Sequence, residues 1–182
     1  MRKNFITLIF LAALTPFVAA CGAQSPQEHE QAVPEATSYQ IILGKSLSDK
    51  DVAEFIVGNN CSSAGPFQVC KDAGMALWMD SNQVVKTVYM YSGNVDGFKR
   101  YRGKLPFGLT FYDPMWKVEE KLGELGAEDE TQAAPGAGLP DEGRSPDHIH
   151  FWAVYKQLGL VVIYDSGIAD PDAYIYAVLV SM

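Results

Sequence analysis

Apolar residues follow three different rhythms along this chain. From Phe5 to Val18 they run nearly unbroken (FITLIFLAALTPFV) behind a short basic start at Arg2 and Lys3. A stretch of this length, interrupted by Pro16, is short for a membrane span and matches the apolar core of a signal peptide. Residues 22–37 (GAQSPQEHEQAVPEAT) then show no apolar period and predict a flexible tether. Beyond residue 38 the spacing alternates between helical and strand-like. Leu47, Val52, Phe55 and Ile56 recur at helical intervals, with Ser48 as the expected N-cap, Asp51 three residues on and Gly58-Asn59 as the stop. Period-two stretches follow at Gly74–Met79 and Val84–Tyr91, joined by a turn at Asp80-Ser81-Asn82.

The same order then returns. Asp113 is the expected cap and Pro114 the first helical residue of MWKVEEKLG, in which Met115, Val118 and Leu122 share a side and Gly123 ends the helix. Strands are predicted at His148–Tyr155, Leu160–Tyr164 and Tyr174–Val180. A helix followed by a short antiparallel meander, twice over, predicts an α+β fold of tandem helix-plus-antiparallel-sheet modules in one compact domain, 39–182. Module one spans about 39–95 and module two about 105–182. Each sheet is expected to carry a helix on one face and to be open on the other.

Val18-Ala19-Ala20-Cys21, closing the first apolar run, resembles the lipobox of bacterial lipoproteins. The resemblance implies cleavage after residue 20, with 1–20 as signal peptide, and acylation of Cys21 by diacylglycerol and palmitate-type chains. Residues 21–38 would be the lipidated tether. Gly22 in place of Asp implies a Gram-negative outer membrane, facing the periplasm, rather than the inner one. Loss of Arg2 and Lys3 would leave 12 of the 14 basic residues against 22 acidic ones, taking the net charge from −8 to −10. That balance speaks against nucleic acid as a partner and suits a basic protein. Two cysteines remain, Cys61 and Cys70, an even pair in an oxidising compartment. They predict a disulfide across CSSAGPFQVC, worth about 2–3 kcal/mol in the chain-entropy model.

The run Leu105-Pro106-Phe107-Gly108-Leu109-Thr110-Phe111, followed by Asp113 to Gly123 with Val118 and Lys121-Leu122-Gly123, resembles a unit of bacterial envelope and immunity proteins. Such units resemble the fold of the β-lactamase inhibitor protein, a tandem of two helix-plus-sheet modules, and of small outer-membrane-assembly lipoproteins. The order of elements over 41–182 agrees with this, and the residue-level motif covers 105–123. The segment after Gly123 is longer than the loop usual in such units.

Candidate recognition residues lie in two places. Alternation puts His148, His150, Trp152 and Val154 on one strand face, and Tyr174, Tyr176, Val178 and Val180 on another. Thr87, Tyr89 and Tyr91 alternate with Lys86, Val88 and Met90. Tyr89, Tyr91, Trp152, Tyr174 and Tyr176 on an open sheet would supply large contact area at low entropic cost; the alternative is that they pack beneath the helices. The second place is the loop 124–147, with seven acids against Arg144. Glu128, Asp129, Glu130, Asp141 and Glu142 would enter a basic cleft by charge complementarity, or the loop is a solvated insertion. His148 and His150, at i and i+2, are the weak metal candidates. Lys99, Arg100, Arg102 and Lys104 read as a solvated connection between modules.

No G-x-S-x-G elbow, phosphate loop or H-E-x-x-H occurs. The expectation is a non-enzymatic lipoprotein, with no cofactor, that binds a protein partner as an immunity or inhibitor protein against a toxin or envelope hydrolase. The alternatives are an envelope scaffold lipoprotein and a metal- or small-ligand-binding one.

Overall fold

The computed structural model describes residues 39–94, 96–125, 130–134 (backbone only), 150–166 and 168–182. The signal segment, the tether with Cys21, and the acidic loop outside 130–134 lie outside the described residues. Within them, three helices, α1 (Tyr39–Ile42), α2 (Lys50–Gly58) and α3 (Met115–Gly123), accompany eight strands. These are β1 (Ser62–Ala64), β2 (Phe67–Cys70), β3 (Met75–Met79), β4 (Val85–Tyr91), β5 (Glu130–Ala134), β6 (His150–Tyr155), β7 (Leu160–Tyr164) and β8 (Ile175–Ser181). The fold is α+β and mostly sheet.

The strands join in one antiparallel sheet in the order β1-β2-β3-β4-β8-β7-β6-β5, rather than in two separate ones. The order is symmetric about the β4–β8 pair, where Val88 faces Val180 and the Thr87 and Ser181 hydroxyls lie 2.9 Å apart. In each half a one-turn 3₁₀ segment, Lys71–Ala73 or Lys156–Leu158, links the second strand to the third. Each ends on a left-handed glycine, Gly74 (φ 68°) or Gly159 (φ 59°), where a side chain would collide with neighbouring backbone.

The helices cover one face. Val52 and Phe55 of α2, and Met115, Val118 and Leu122 of α3, enter a core with Met75, Leu77, Val88, Met90, Val162 and Val178. The cap of α2 is Asp49, not the expected Ser48: its carboxylate accepts the Asp51 N–H at 3.0 Å. Asp113 does not cap α3 either, since Pro114 occupies the N-cap position. Instead the buried Asp113 carboxylate accepts the Thr110 N–H at 2.7 Å and pairs with Lys121 at 2.7 Å and Lys117 at 3.5 Å. It ties the loop before α3 to the helix's last turn.

Two strand irregularities overturn part of the predicted facing. Trp78 pairs with Thr87 but Met79 with Val85, so Lys86 is an extra residue; Ile163 pairs with Ala177 but Tyr164 with Ile175, so Tyr176 is another. A bulge shifts the alternation by one residue beyond it. Tyr176 therefore lies with Ala177 and Leu179, while Val178 and Val180 belong with Ile175 in the helix-covered core. β5 also falls within the segment expected to be loop, its Glu130 pairing with Val154.

Candidate functional site

No residue of the three helices contributes to the opposite face of the sheet. Alternation from the core residues of β2, β3, β4, β6, β7 and β8 turns Phe67, Val69, Ala76, Trp78, Tyr89, Tyr91, Trp152, Val161, Ile163, Tyr176 and Leu179 to that side, where the loop residue Phe98 joins them. Both halves of the sheet contribute. Phe67, Trp78, Trp152, Val161 and Tyr176 are only half-buried, whereas Tyr89 and Tyr91 are buried. So Tyr89, Tyr91, Trp152 and Tyr176 share a face, where they belong to one apolar cluster rather than packing beneath the helices. Phe67 meets Tyr89 edge-on at 5.9 Å between centroids, Tyr91 stacks on Phe98 at 4.0 Å, and the His150 ring lies 4.1 Å from Tyr176.

The polar groups of this face include three phenols, the Trp152 indole and the His150 imidazole. Burial pushes the Tyr89 phenol up to about 12 and the Tyr91 phenol well up. Burial, then the Asp96 and Asp165 carboxylates, raise Tyr176 as well. All three remain protonated, as hydrogen-bond donors, throughout the physiological range. The Tyr91 hydroxyl and the Trp152 indole N–H are buried without a partner among the described residues. An unmet buried donor costs about 1–3 kcal/mol.

The chain matches no protein-family model, no curated protein and no solved structure.

The remaining candidates lie elsewhere. Tyr174 is exposed and bridges Pro114 at the start of α3, away from the aromatic face. Glu128, Asp129, Asp141, Glu142 and His148 lie outside the described residues, and of Glu130 only the backbone is described. His150 is buried, with Nδ1 3.2 Å from the Tyr164 carbonyl oxygen, and among the described residues no three His, Cys, Asp or Glu side chains converge as metal ligands would. Cys61 and Cys70 form the disulfide, closing the open end of the β1–β2 hairpin. No helix among the described residues is long and apolar enough to cross a membrane. Phe67, Trp78 and Val161 were missed as surface residues. The signal was available for Trp78 and Val161, which alternate with core positions; Phe67 sits in a four-residue strand too short to show a period.

Proposed function

We propose that this chain is an envelope lipoprotein anchored through Cys21, and that its domain binds a protein partner as an immunity or inhibitor protein, silencing a toxin or envelope hydrolase. On this reading the domain is a tandem of two helix-plus-sheet modules of the β-lactamase-inhibitor type. The matching strand order, 3₁₀ turns and bulges of the two halves support the tandem. The observation that carries the binding role is the sheet face to which no helix among the described residues contributes, partly exposed and rich in Trp, Tyr and Phe. Aromatic anchors of this kind dominate protein interfaces. The acidic mature chain favours a basic partner, whose encounter it would accelerate. The disulfide fixes the edge hairpin beside that face.

The test pairs the full chain with the secreted enzyme encoded next to its gene. Calorimetric titration is expected to show binding and loss of enzyme activity, with Trp152→Ala or Tyr176→Ala weakening affinity about 30-fold, the scale of a 2 kcal/mol hot spot. Deletion of the gene should sensitise cells only when that enzyme is present. Envelope damage in its absence would overturn the inhibitor role in favour of a scaffold. Retention in the membrane fraction after Cys21→Ser would overturn the anchor.

A further inference from the structure

A second polar site lies outside the aromatic face. Where the chain leaves β4, Ser92, Gly93 and Asn94 face Lys99, Arg100 and Arg102 across an open cavity of about 450 Å³. Every polar side chain lining it can donate a hydrogen bond: a hydroxyl, an amide, an ammonium and two guanidinium groups. In a chain of net charge −8 this is a local reversal of sign.

The guanidinium of Arg100 is held in place. Its Nε donates to the Ser92 carbonyl at 3.0 Å, its Nη1 donates to the Tyr112 hydroxyl, and its Cζ lies 4.3 Å from the Tyr112 ring centroid and 5.8 Å from that of Phe111. A fork fixed in this way loses little entropy on meeting an oxyanion. Gly93 permits the arrangement. It has φ +100°, and a Cβ there would stand 3.0 Å from the Arg100 N and Cβ. Lys99 is partly neutralised by Asp72 at 2.7 Å. Arg102 is exposed and has no partner among the described residues; the hydroxyl of Ser92 and the amide of Asn94 are likewise uncommitted there.

We propose that this cavity binds a phosphate group, with Arg100 and Arg102 as the principal charges and Ser92, Asn94 and Lys99 as additional donors. Two guanidinium forks and a neutral donor pair suit a tetrahedral dianion or diester. The phosphate has two sources in a cell envelope, the free anion and a phospholipid headgroup, which share this chemistry. No residue of the partner-binding face lines it, but the two adjoin: the Ser92 N–H donates to the Tyr176 carbonyl and the Asn94 N–H to the Phe98 carbonyl, each at 3.0 Å.

The experiment titrates the full chain, in a nonionic detergent, with inorganic phosphate and separately with a soluble glycerophosphodiester, at ionic strength held constant with sodium chloride. Saturable binding with a Kd on the order of 1 mM is expected. Arg102→Gln should weaken it at least tenfold, and Gly93→Ala, by displacing Arg100, should do the same. Tighter binding of the diester identifies a lipid headgroup, and tighter binding of inorganic phosphate the free anion. The proposal is overturned if neither binds, if chloride reproduces the effect, or if Arg102→Gln binds as the parent does. Binding of an acidic peptide with no response to either phosphate also overturns it. Because Arg102 is exposed, its variant keeps the fold, and an unchanged melting temperature verifies that.

Discussion

Replacing Gly74 with alanine separates two contributions that usually come together. Gly74 and Gly65 have similar left-handed backbones, φ 68° and 58°. Alanine in that region costs about 1–2 kcal/mol, of which about 0.4–1 kcal/mol is offset by the lower entropy of the unfolded alanine chain. At Gly65, in the β1–β2 turn, an added Cβ meets nothing within 4 Å, so Gly65→Ala should cost only about 1 kcal/mol or less. At Gly74 the same methyl would overlap the Lys99 carbonyl oxygen and the Tyr101 amide nitrogen and lie 2.7 Å from the Arg100 carbonyl carbon. Backbone cannot rotate away as a side-chain tip can, so overpacking adds about 1–3 kcal/mol. The expected total for Gly74→Ala is about 1–4 kcal/mol, a sizeable share of a domain's usual 5–15 kcal/mol.

Urea unfolding followed by fluorescence measures both variants, with a lower midpoint and an unchanged slope as the expected signature. Equal losses at Gly65 and Gly74 would refute the reasoning, because the contacts would then contribute nothing beyond backbone strain. The crowded segment, 99–101, also carries Lys99 and Arg100. Gly74→Ala should therefore weaken phosphate binding as well, and Gly65→Ala should not.

Three further outcomes follow from single groups. Cys61→Ser with Cys70→Ser should lower stability by about 2–3 kcal/mol, and reductant should lower the parent's midpoint but not the variant's. Burial works to raise the Asp113 pKa, but the Lys121 hydrogen bond and the Thr110 N–H outweigh it and hold the carboxyl below its usual value. Its contribution is present above the ordinary carboxylate range and lost as pH falls through it, so Asp113→Asn should flatten the acid limb of a stability–pH curve; an unchanged limb would count against the pairing. Tyr89, pushed up to about 12 by burial, keeps its proton when the unfolded phenol loses one near 10. Stability should fall as pH rises from about 10 towards 12, and Tyr89→Phe should reduce that fall in alkaline unfolding.

How far this fold could be read from the chain depends on strand length and on the bulges. β3, β4, β6, β7 and β8 lie within two residues of their predicted bounds because five to seven alternating residues make a period visible. β1 is three residues of Ser-Ser-Ala and β2 only four, and neither shows one. Lys86 and Tyr176 are bulge residues that nothing in their identity announces, so the facing of Val178 and Val180 was read one residue out of phase. Ser48 and Asp113 both have capping side chains, yet Asp49 takes the first cap and Asp113 is drawn to Lys121, a residue eight positions on. The basic run at 99–104 was legible as a cluster; that it faces Ser92 and Asn94 depends on the loop returning over β4.

The bulges also bear on where a partner would bind. Each half of the sheet uses the same device at the corresponding strand, but fills it differently. In the first half the extra residue is Lys86, whose ammonium lies 3.8 Å from Asp80. In the second it is Tyr176, its ring tilted against that of His150 on the same face as Trp152. The backbone frame is therefore close to symmetric while its chemistry is not. A lysine ion-paired at that distance contributes little to an interface, whereas a half-buried tyrosine on the same face as Trp152 has the character of an anchor. The second half should accordingly dominate recognition. Tyr176→Ala is expected to weaken partner binding about 30-fold while Lys86→Ala leaves it within twofold, and comparable losses from both would mean that the two halves bind alike.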